Sequence, residues 1–191
     1  MKYAVISVAD AAARFSKHIS EETLHYFAEQ KPFSSPESLA GRLLVAQLAE
    51  LSPEQTNRFL RGSIGNFESK EYGFFWSISH KEEKIAAAIA EKPIGIDIEK
   101  IRPRAESLFS IFTETEWNLL GQKEWPYFYR GWTAKEAALK VLSLDLEQLP
   151  KIRIVENRKD SLILEYESRR VLAHVFAEND LVISVAESAN E

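Results

Sequence analysis

The 191-residue sequence contains no cysteine, which excludes disulfide bonds and thiolate catalysis. It also lacks any run that approaches the roughly 20 apolar residues needed by a membrane-spanning helix. Its first ten residues, MKYAVISVAD, show no long apolar region followed by a small-residue cleavage site. From these absences we expect a soluble, cytoplasmic protein without a membrane partner.

Basic charge is also scarce. The chain has 24 Lys and Arg against 29 Asp and Glu, for a net charge of -5. Proteins that bind nucleic acid through a broad positive field carry an excess of basic residues, so we expect no nucleic-acid partner. The hydrophobic fraction of 45% is typical of a globular chain. This length allows one good-sized domain or two small halves that share a core.

Strand and helix patterns recur in both halves of the chain. Alternating apolar residues indicate strands at 3–8, 74–79, 84–90 and 94–99, helical spacing indicates helices at 20–30, 38–51 and 126–142, and four more strand-like segments follow Pro150. Thr113 and Glu116 form a capping-box pattern ahead of a short helix. We predict an α+β fold with two similar halves, residues 1–94 and 95–191, of which the second carries the metal-binding motifs.

Asp97 and Glu99 lie two residues apart in the strand-like segment GIDIE. Side chains alternate across a strand, so both carboxylates should share one face while Ile98 points into the core. Neighbouring carboxylates repel unless a cation lies between them, and Mg²⁺ favours a few carboxylates together with water and substrate phosphates. The motif therefore indicates a magnesium site, although by itself it is more often a solvated strand face.

The helical segment WTAKEAALK, residues 132–140, carries a second group of charged residues. Helical spacing places Trp132, Glu136 and Lys140 on one stripe, and Lys135 on the adjoining stripe. Glu136 and Lys140 also have the spacing of an ordinary surface salt bridge. The segment alone therefore allows either a charged site or a solvated helix face.

Three motifs in order, SISH at 77–80, GIDIE at 95–99 and FYRGWTAKEAALK at 128–140, resemble the surfactin-type 4'-phosphopantetheinyl transferases, the two-half members of the holo-[acyl-carrier-protein] synthase superfamily. The resemblance implies two α+β halves related by pseudo-twofold symmetry, and a chain that works as a monomer. It implies transfer of 4'-phosphopantetheine from coenzyme A to a serine of an apo acyl or peptidyl carrier protein. The implied products are the holo carrier protein and 3',5'-ADP, and the resemblance implies that the reaction requires Mg²⁺.

The resemblance also assigns roles to residues of this sequence. The metal ligands of such enzymes match Asp97, Glu99 and Glu136. Their coenzyme A contacts match Arg42, Ser79, His80, Lys135 and Lys140. Glu136 and Lys140 are the candidate catalytic residues, because the serine must lose a proton to a base and the negative charge that develops on phosphate requires cations.

The partner and two alternative functions follow from the same residues. Lys100, Arg102 and Arg104 directly follow the GIDIE strand and could form a basic docking site for an acidic carrier protein. A magnesium-dependent phosphoesterase would also use carboxylates, but it commonly needs a second metal and the additional ligands to hold it. A homologue that binds coenzyme A without transferring its arm is the third reading, and the intact acidic motif counts against it.

Overall fold

The computed structural model describes residues 1–15, 17, 19–31, 35–64 and 67–189. The chain divides into two compact units, Met1–Lys92 and Pro93–Glu191. In the described part of the chain, no helix is both long enough and apolar enough to cross a membrane.

The described residues of the first unit form four strands and four α-helices. The strands are β1 (Lys2–Ser7), β2 (Glu68–Ser69), β3 (Phe74–Lys81) and β4 (Lys84–Ala90), and the helices are α1 (Val8–Phe15), α2 (Glu21–Glu29), α3 (Pro36–Leu48) and α4 (Pro53–Gly62). The strands pair antiparallel in the order β1-β4-β3-β2, so β1 lies at an edge of the sheet.

Helix α3 packs on the sheet of the first unit. It begins after Ser35, whose side chain accepts a hydrogen bond from the backbone N–H of Ser38, and a proline occupies its first turn. Leu44 from α3 packs with Trp76 from β3 and Ile85 from β4 in one buried cluster. This cluster fixes β3 against α3.

The second unit is built on a five-stranded antiparallel sheet in the order β5-β9-β8-β7-β6. Its strands are β5 (Ile94–Lys100), β6 (Arg153–Arg158), β7 (Ser161–Tyr166), β8 (Arg169–Glu178) and β9 (Leu181–Ser188), and its α-helices are α5 (Glu114–Leu120) and α6 (Trp125–Leu142). Two short 3₁₀ helices, Glu106–Ile111 and Leu146–Lys151, lie in the connections.

Helix α6 lies across β5, β9 and β8. A proline in its first turn suits the start of the helix, and Ser143 in the left-handed conformation ends it. Phe128, Ala134 and Ala138 are fully buried on its inner side. The small alanines let the helix backbone approach the sheet closely.

The α+β fold class predicted from the sequence is confirmed by these elements. The chain divides between Lys92 and Pro93, whereas the sequence placed the boundary between Ile94 and Gly95. The pseudo-twofold relation between the halves stays a prediction. Two helices, α1 and α4, were not predicted, and Val8, predicted to end the first strand, instead begins α1.

Candidate active site

Gly95, Asp97 and Glu99 project from the same face of β5, because strand side chains alternate. A β-carbon added to Gly95 would lie 2.0 Å from the carbonyl oxygen of Ala137, so the backbone of α6 passes directly over this face. Asp97 is 3% exposed, and the oxygens Asp97 Oδ2 and Glu99 Oε2 are buried. Asp97 therefore does not belong to a solvated strand face.

Lys140 reaches β5 from the last turn of α6. Its Nζ lies 3.2 Å from Asp97 Oδ1 and donates a hydrogen bond to the carbonyl oxygen of Ile96. The ammonium is partly exposed while the carboxylate is buried. The ion pair of Lys140 thus joins α6 to the strand, and is not the salt bridge with Glu136 along the helix surface that the sequence allowed.

Glu136 lies one turn before Lys140 and close to both acidic residues of β5. Burial raises the pKa of Glu136 to about 8; the charge of Asp97, a hydrogen bond with the Asp97 side chain and the charge of Glu99 act in the same direction, while Lys140 opposes them. The Glu136 carboxyl group is therefore harder to ionise beside Asp97 and Glu99 than it would be in water. Such a cluster favours the binding of positive charge.

The cluster offers carboxylate oxygens as metal donors. These hard ligands suit Mg²⁺, which commonly takes one or two protein carboxylates and completes its octahedron with water and substrate phosphates. As the side chains stand, no three Asp, Glu, His or Cys residues in the described ranges converge closely enough to hold a metal ion. The described carboxylates do not complete a metal site by themselves, so an ion held here would take part of its coordination from a bound substrate.

The resemblance implied that Lys135 contacts coenzyme A, and the structure describes this residue as part of the core of the second unit. It is fully buried, with Nζ 2.7 Å from Glu116 Oε1 and 4.8 Å from the centre of the Phe112 ring. Burial lowers the pKa of Lys135, and the hydrogen bond and charge of Glu116 oppose this shift. Consecutive helical residues project about 100° apart, so Lys135 enters the core while Glu136 faces β5. Its ammonium has no access to a phosphate in this position.

Arg42, on α3, is also buried in the first unit. Its Nε donates to Ser63 Oγ at 3.0 Å and its Nη1 donates to the carbonyl oxygen of Ser38 at 3.2 Å. The guanidinium lies over the rings of Phe27 and Trp76, with centroids at 5.6 and 5.2 Å. Burial lowers the pKa of Arg42 to about 10. These contacts stabilise the first unit, and they differ from the phosphate contact that the resemblance implied.

Ser79 and His80 are neighbours near the end of β3. Adjacent strand residues project to opposite faces, and Ser79 is half-buried whereas His80 is exposed. Glu37, in the first turn of α3, senses the charge of His80. The pKa of Glu37 is lowered by hydrogen bonds from backbone N–H and from Ser35, and the charge of His80 lowers it further. His80 therefore lies near the first turn of α3, accessible to an anion from solvent, while Ser79 points to the other face.

Residues 93–186 match the family model of the 4'-phosphopantetheinyl transferase superfamily. The second unit thus carries the sequence signature of this superfamily. The resemblance drawn from the three motifs is thereby confirmed.

Curated 4'-phosphopantetheinyl transferases are similar to this chain over stretches of 89 to 124 residues. A 4'-phosphopantetheinyl transferase of Bacillus subtilis is 35% identical over 89 residues, which cover 39% of this chain and 40% of the relative. The 4'-phosphopantetheinyl transferase Sfp of Bacillus subtilis strain 168 is 32% identical over 116 residues, 51% of each chain. HetI of Nostoc is 29% identical over 124 residues, 61% of this chain and 52% of the relative. The matches thus span about half the length of these relatives.

Two buried polar residues near the acidic cluster were not identified from the sequence. Thr133 and Ser184 are both fully buried, and their hydroxyl oxygens lie 2.7 Å apart. The sequence signals were the position of Thr133 on the inner face of α6 and that of Ser184 within the otherwise apolar segment LVISVA, and both positions indicate a buried hydroxyl. Glu116 was predicted only as half of a capping box, and its ion pair with Lys135 depends on residues distant in sequence.

Proposed function

We propose that this chain transfers the 4'-phosphopantetheine group of coenzyme A to a serine of an apo carrier protein, giving the holo carrier protein and 3',5'-ADP in a magnesium-dependent reaction. The observation that carries the proposal is the placement of Asp97, Glu136 and Lys140 where α6 crosses β5. The relatives named above support the reaction class, since they are called 4'-phosphopantetheinyl transferases.

Glu136 is the proposed general base. In the reaction the serine oxygen attacks the phosphorus that bears pantetheine, and the bond between this phosphorus and the bridging oxygen breaks. The electron pair of that bond leaves with 3',5'-ADP, and the serine proton passes to the base. The position of Glu136 beside Asp97 and Lys140 lets its ionised carboxylate take up the serine proton.

Lys140 is the proposed partner of the pyrophosphate. Its ammonium lies 3.2 Å from Asp97 Oδ1 and is partly exposed. It can therefore approach a phosphate oxygen while the buried carboxylate holds it in place. A fixed cation at this point stabilises the negative charge that builds on the leaving group.

Asp97, Glu99 and Glu136 are the proposed magnesium ligands. When bound, Mg²⁺ supplies positive charge that stabilises the pyrophosphate as its bond breaks. Glu136 must release its proton to become a ligand. The site should therefore bind a divalent cation more tightly as the pH rises toward 8.

His80 is the strongest candidate in the first unit for the 3'-phosphate of coenzyme A, because it is exposed at the end of β3. Ser79 and Arg42 are weaker candidates. Arg42 and Lys135 would both have to leave buried positions to reach a phosphate. We therefore propose that binding of coenzyme A depends more on His80 and Lys140 than on these two residues.

The loop that follows β5 supports a docking site for an acidic carrier protein. Arg102 and Arg104 are exposed, and the hydroxyl of Tyr129 donates to the carbonyl oxygen of Arg102 at 3.2 Å, which anchors the loop to α6. Lys100 is engaged with Asp180 at 3.5 Å. We propose that the two arginines meet the carrier protein, and we expect the protein to act as a cytoplasmic monomer.

Incubation with coenzyme A, Mg²⁺ and an apo carrier protein, followed by mass spectrometry of the carrier, tests the proposal. We expect a mass increase of one phosphopantetheine group, and none when the acceptor serine is alanine or when EDTA replaces Mg²⁺. Release of phosphate or nucleotide without a mass increase would instead support a phosphoesterase. Binding of coenzyme A without a mass increase and without release of phosphate or nucleotide would support a homologue that no longer transfers phosphopantetheine.

A further inference from the structure

One of the stripes of helix α6 that face the sheet of the second unit carries polar side chains. Tyr129, Thr133, Ala137 and Lys140 occupy this stripe, which extends over about 16 Å of helix. Ala137 meets Gly95, and Lys140 bonds to β5. Between the hydroxyl of Tyr129 at one end and Lys140 at the other, Thr133 makes the polar contact with the interior of the sheet.

The Thr133 contact is a chain of two hydrogen bonds. Thr133 Oγ1 donates to the carbonyl oxygen of Tyr129 at 2.9 Å, and it lies 2.7 Å from Ser184 Oγ. Because the Thr133 proton is directed to Tyr129, the Ser184 hydroxyl donates to Thr133 Oγ1. Both side chains are 0% exposed, so water does not compete for this bond.

The position of this bond relates it to the acidic cluster. Ser184 on β9 is the register partner of Asp97 on β5, and paired residues of antiparallel strands project to the same face. Thr133 lies three residues before Glu136, on a neighbouring part of the same helical side. The bond therefore joins α6 to the sheet at the point where Glu136 meets Asp97.

The arrangement needs support once Glu136 is ionised, as a metal ligand must be. Asp97, Glu99 and Glu136 then carry like charges, and their mutual repulsion favours a rotation of α6 that separates them. Alanine contacts at positions 134 and 137 permit close packing but do not select one rotation of the helix. A directional hydrogen bond between two buried hydroxyls does select one.

We propose that the hydrogen bond between Ser184 and Thr133 is a positioning contact that holds α6 at the rotation in which Glu136 faces Asp97, and that it thereby sets the affinity of the site for a divalent cation. The proposal rests on the metal site of the proposed function. Neither residue touches the substrate; both act through Glu136.

Ser184→Ala is the decisive variant, because Thr133 keeps its acceptor at Tyr129 and no buried donor is left without a partner. Binding of Mn²⁺, measured by electron paramagnetic resonance on the full-length protein, gives a readout independent of catalysis. We expect the dissociation constant for Mn²⁺ to rise about tenfold, as is typical when a supporting contact of a metal site is lost. Thr133→Ser, which keeps the hydroxyl, should bind Mn²⁺ like the wild type.

Ser161→Ala is the matched control, since Ser161 is a buried serine of the same sheet that projects away from α6. It should leave Mn²⁺ binding unchanged. Wild-type Mn²⁺ affinity in Ser184→Ala, or an equal loss of affinity in Ser161→Ala, would overturn the proposal. A wild-type protein that binds Mn²⁺ but does not modify a carrier protein would contradict the proposed function alone.

Discussion

Lys135 Nζ lies 2.7 Å from Glu116 Oε1, and both side chains are buried. The same carboxylate accepts hydrogen bonds from the backbone N–H of Ile154 at 3.0 Å and of Thr113 at 2.9 Å. Burial alone would raise the pKa of Glu116, but hydrogen bonds from Lys135, Thr113 and Ile154, with the charge of Lys135, hold it below its ordinary value. The Glu116 carboxylate thus joins α5 to α6 through the ion pair, and α5 to β6 through the hydrogen bond from Ile154.

We predict that Lys135→Met lowers the free energy of unfolding by about 3–5 kcal/mol, because it leaves the buried charge of Glu116 without its cation. Urea denaturation measures this change. Lys123→Met is the matched control, since Lys123 pairs with Glu114 at the surface and exposed pairs contribute little. Equal losses of stability in the two variants would contradict the structural role of Lys135.

The double variant Glu116→Gln with Lys135→Met separates this role from a contact with phosphate. Removing both charges removes the uncompensated carboxylate, so the double variant should be more stable than Lys135→Met. If Lys135 acts only in the core, the double variant retains transfer to a carrier protein. A stable double variant without transfer would favour the phosphate contact that the resemblance implied.

The periodicities of β5 and α6 were enough to predict which charged residues share a face of each element. Alternation placed Asp97 with Glu99, and helical spacing placed Glu136 with Lys140. The sequence could not place Lys135, because a linear pattern does not indicate which of two adjoining helical stripes faces a neighbouring core. The binding of a metal by the carboxylates stays a prediction.

Local signals explain much of the fold that was predicted and some that was missed. The capping box of Thr113 and Glu116 is confirmed at the start of α5. The missed helix α4 begins with a capping box of Ser52 and Gln55, followed by proline in the first turn, so its signal was present in the sequence. Burial of Arg42 depends on Phe27 and other residues from separate elements, and no local pattern reveals it.

Substitution of Gly95 tests whether metal binding requires the close approach of α6 to β5. Its substitution by alanine would place a β-carbon 2.0 Å from a backbone oxygen of α6, and the helix must then move. We predict that Gly95→Ala lowers the free energy of unfolding by about 1–3 kcal/mol and weakens Mn²⁺ binding. Gly62→Ala is the control, because no atom lies within 4 Å of an added β-carbon there. Wild-type Mn²⁺ binding in Gly95→Ala would show that the close approach is unnecessary.

The raised pKa of Glu136 makes the stability of the metal-free protein depend on pH. The folded protein keeps this proton to about pH 8, whereas the unfolded chain releases it near the ordinary value of 4.5. Between these values the folded state binds more protons than the unfolded state, so stability falls as the pH rises. We predict that the wild type loses stability relative to Glu136→Gln across this window, measured by denaturation in EDTA. A difference that does not change with pH would contradict the shift.

Glu136→Gln tests the base most directly. The amide keeps the size of the side chain and can donate a hydrogen bond to Asp97, but it cannot accept the serine proton. We predict that transfer falls by about 100-fold or more, while circular dichroism shows the wild-type fold and thermal unfolding stays cooperative. Glu114→Gln, an exposed change on α5, should retain full transfer. Turnover near the wild-type rate in Glu136→Gln would rule out Glu136 as the base, and unchanged Mn²⁺ affinity in the same variant would also remove it from the set of metal ligands.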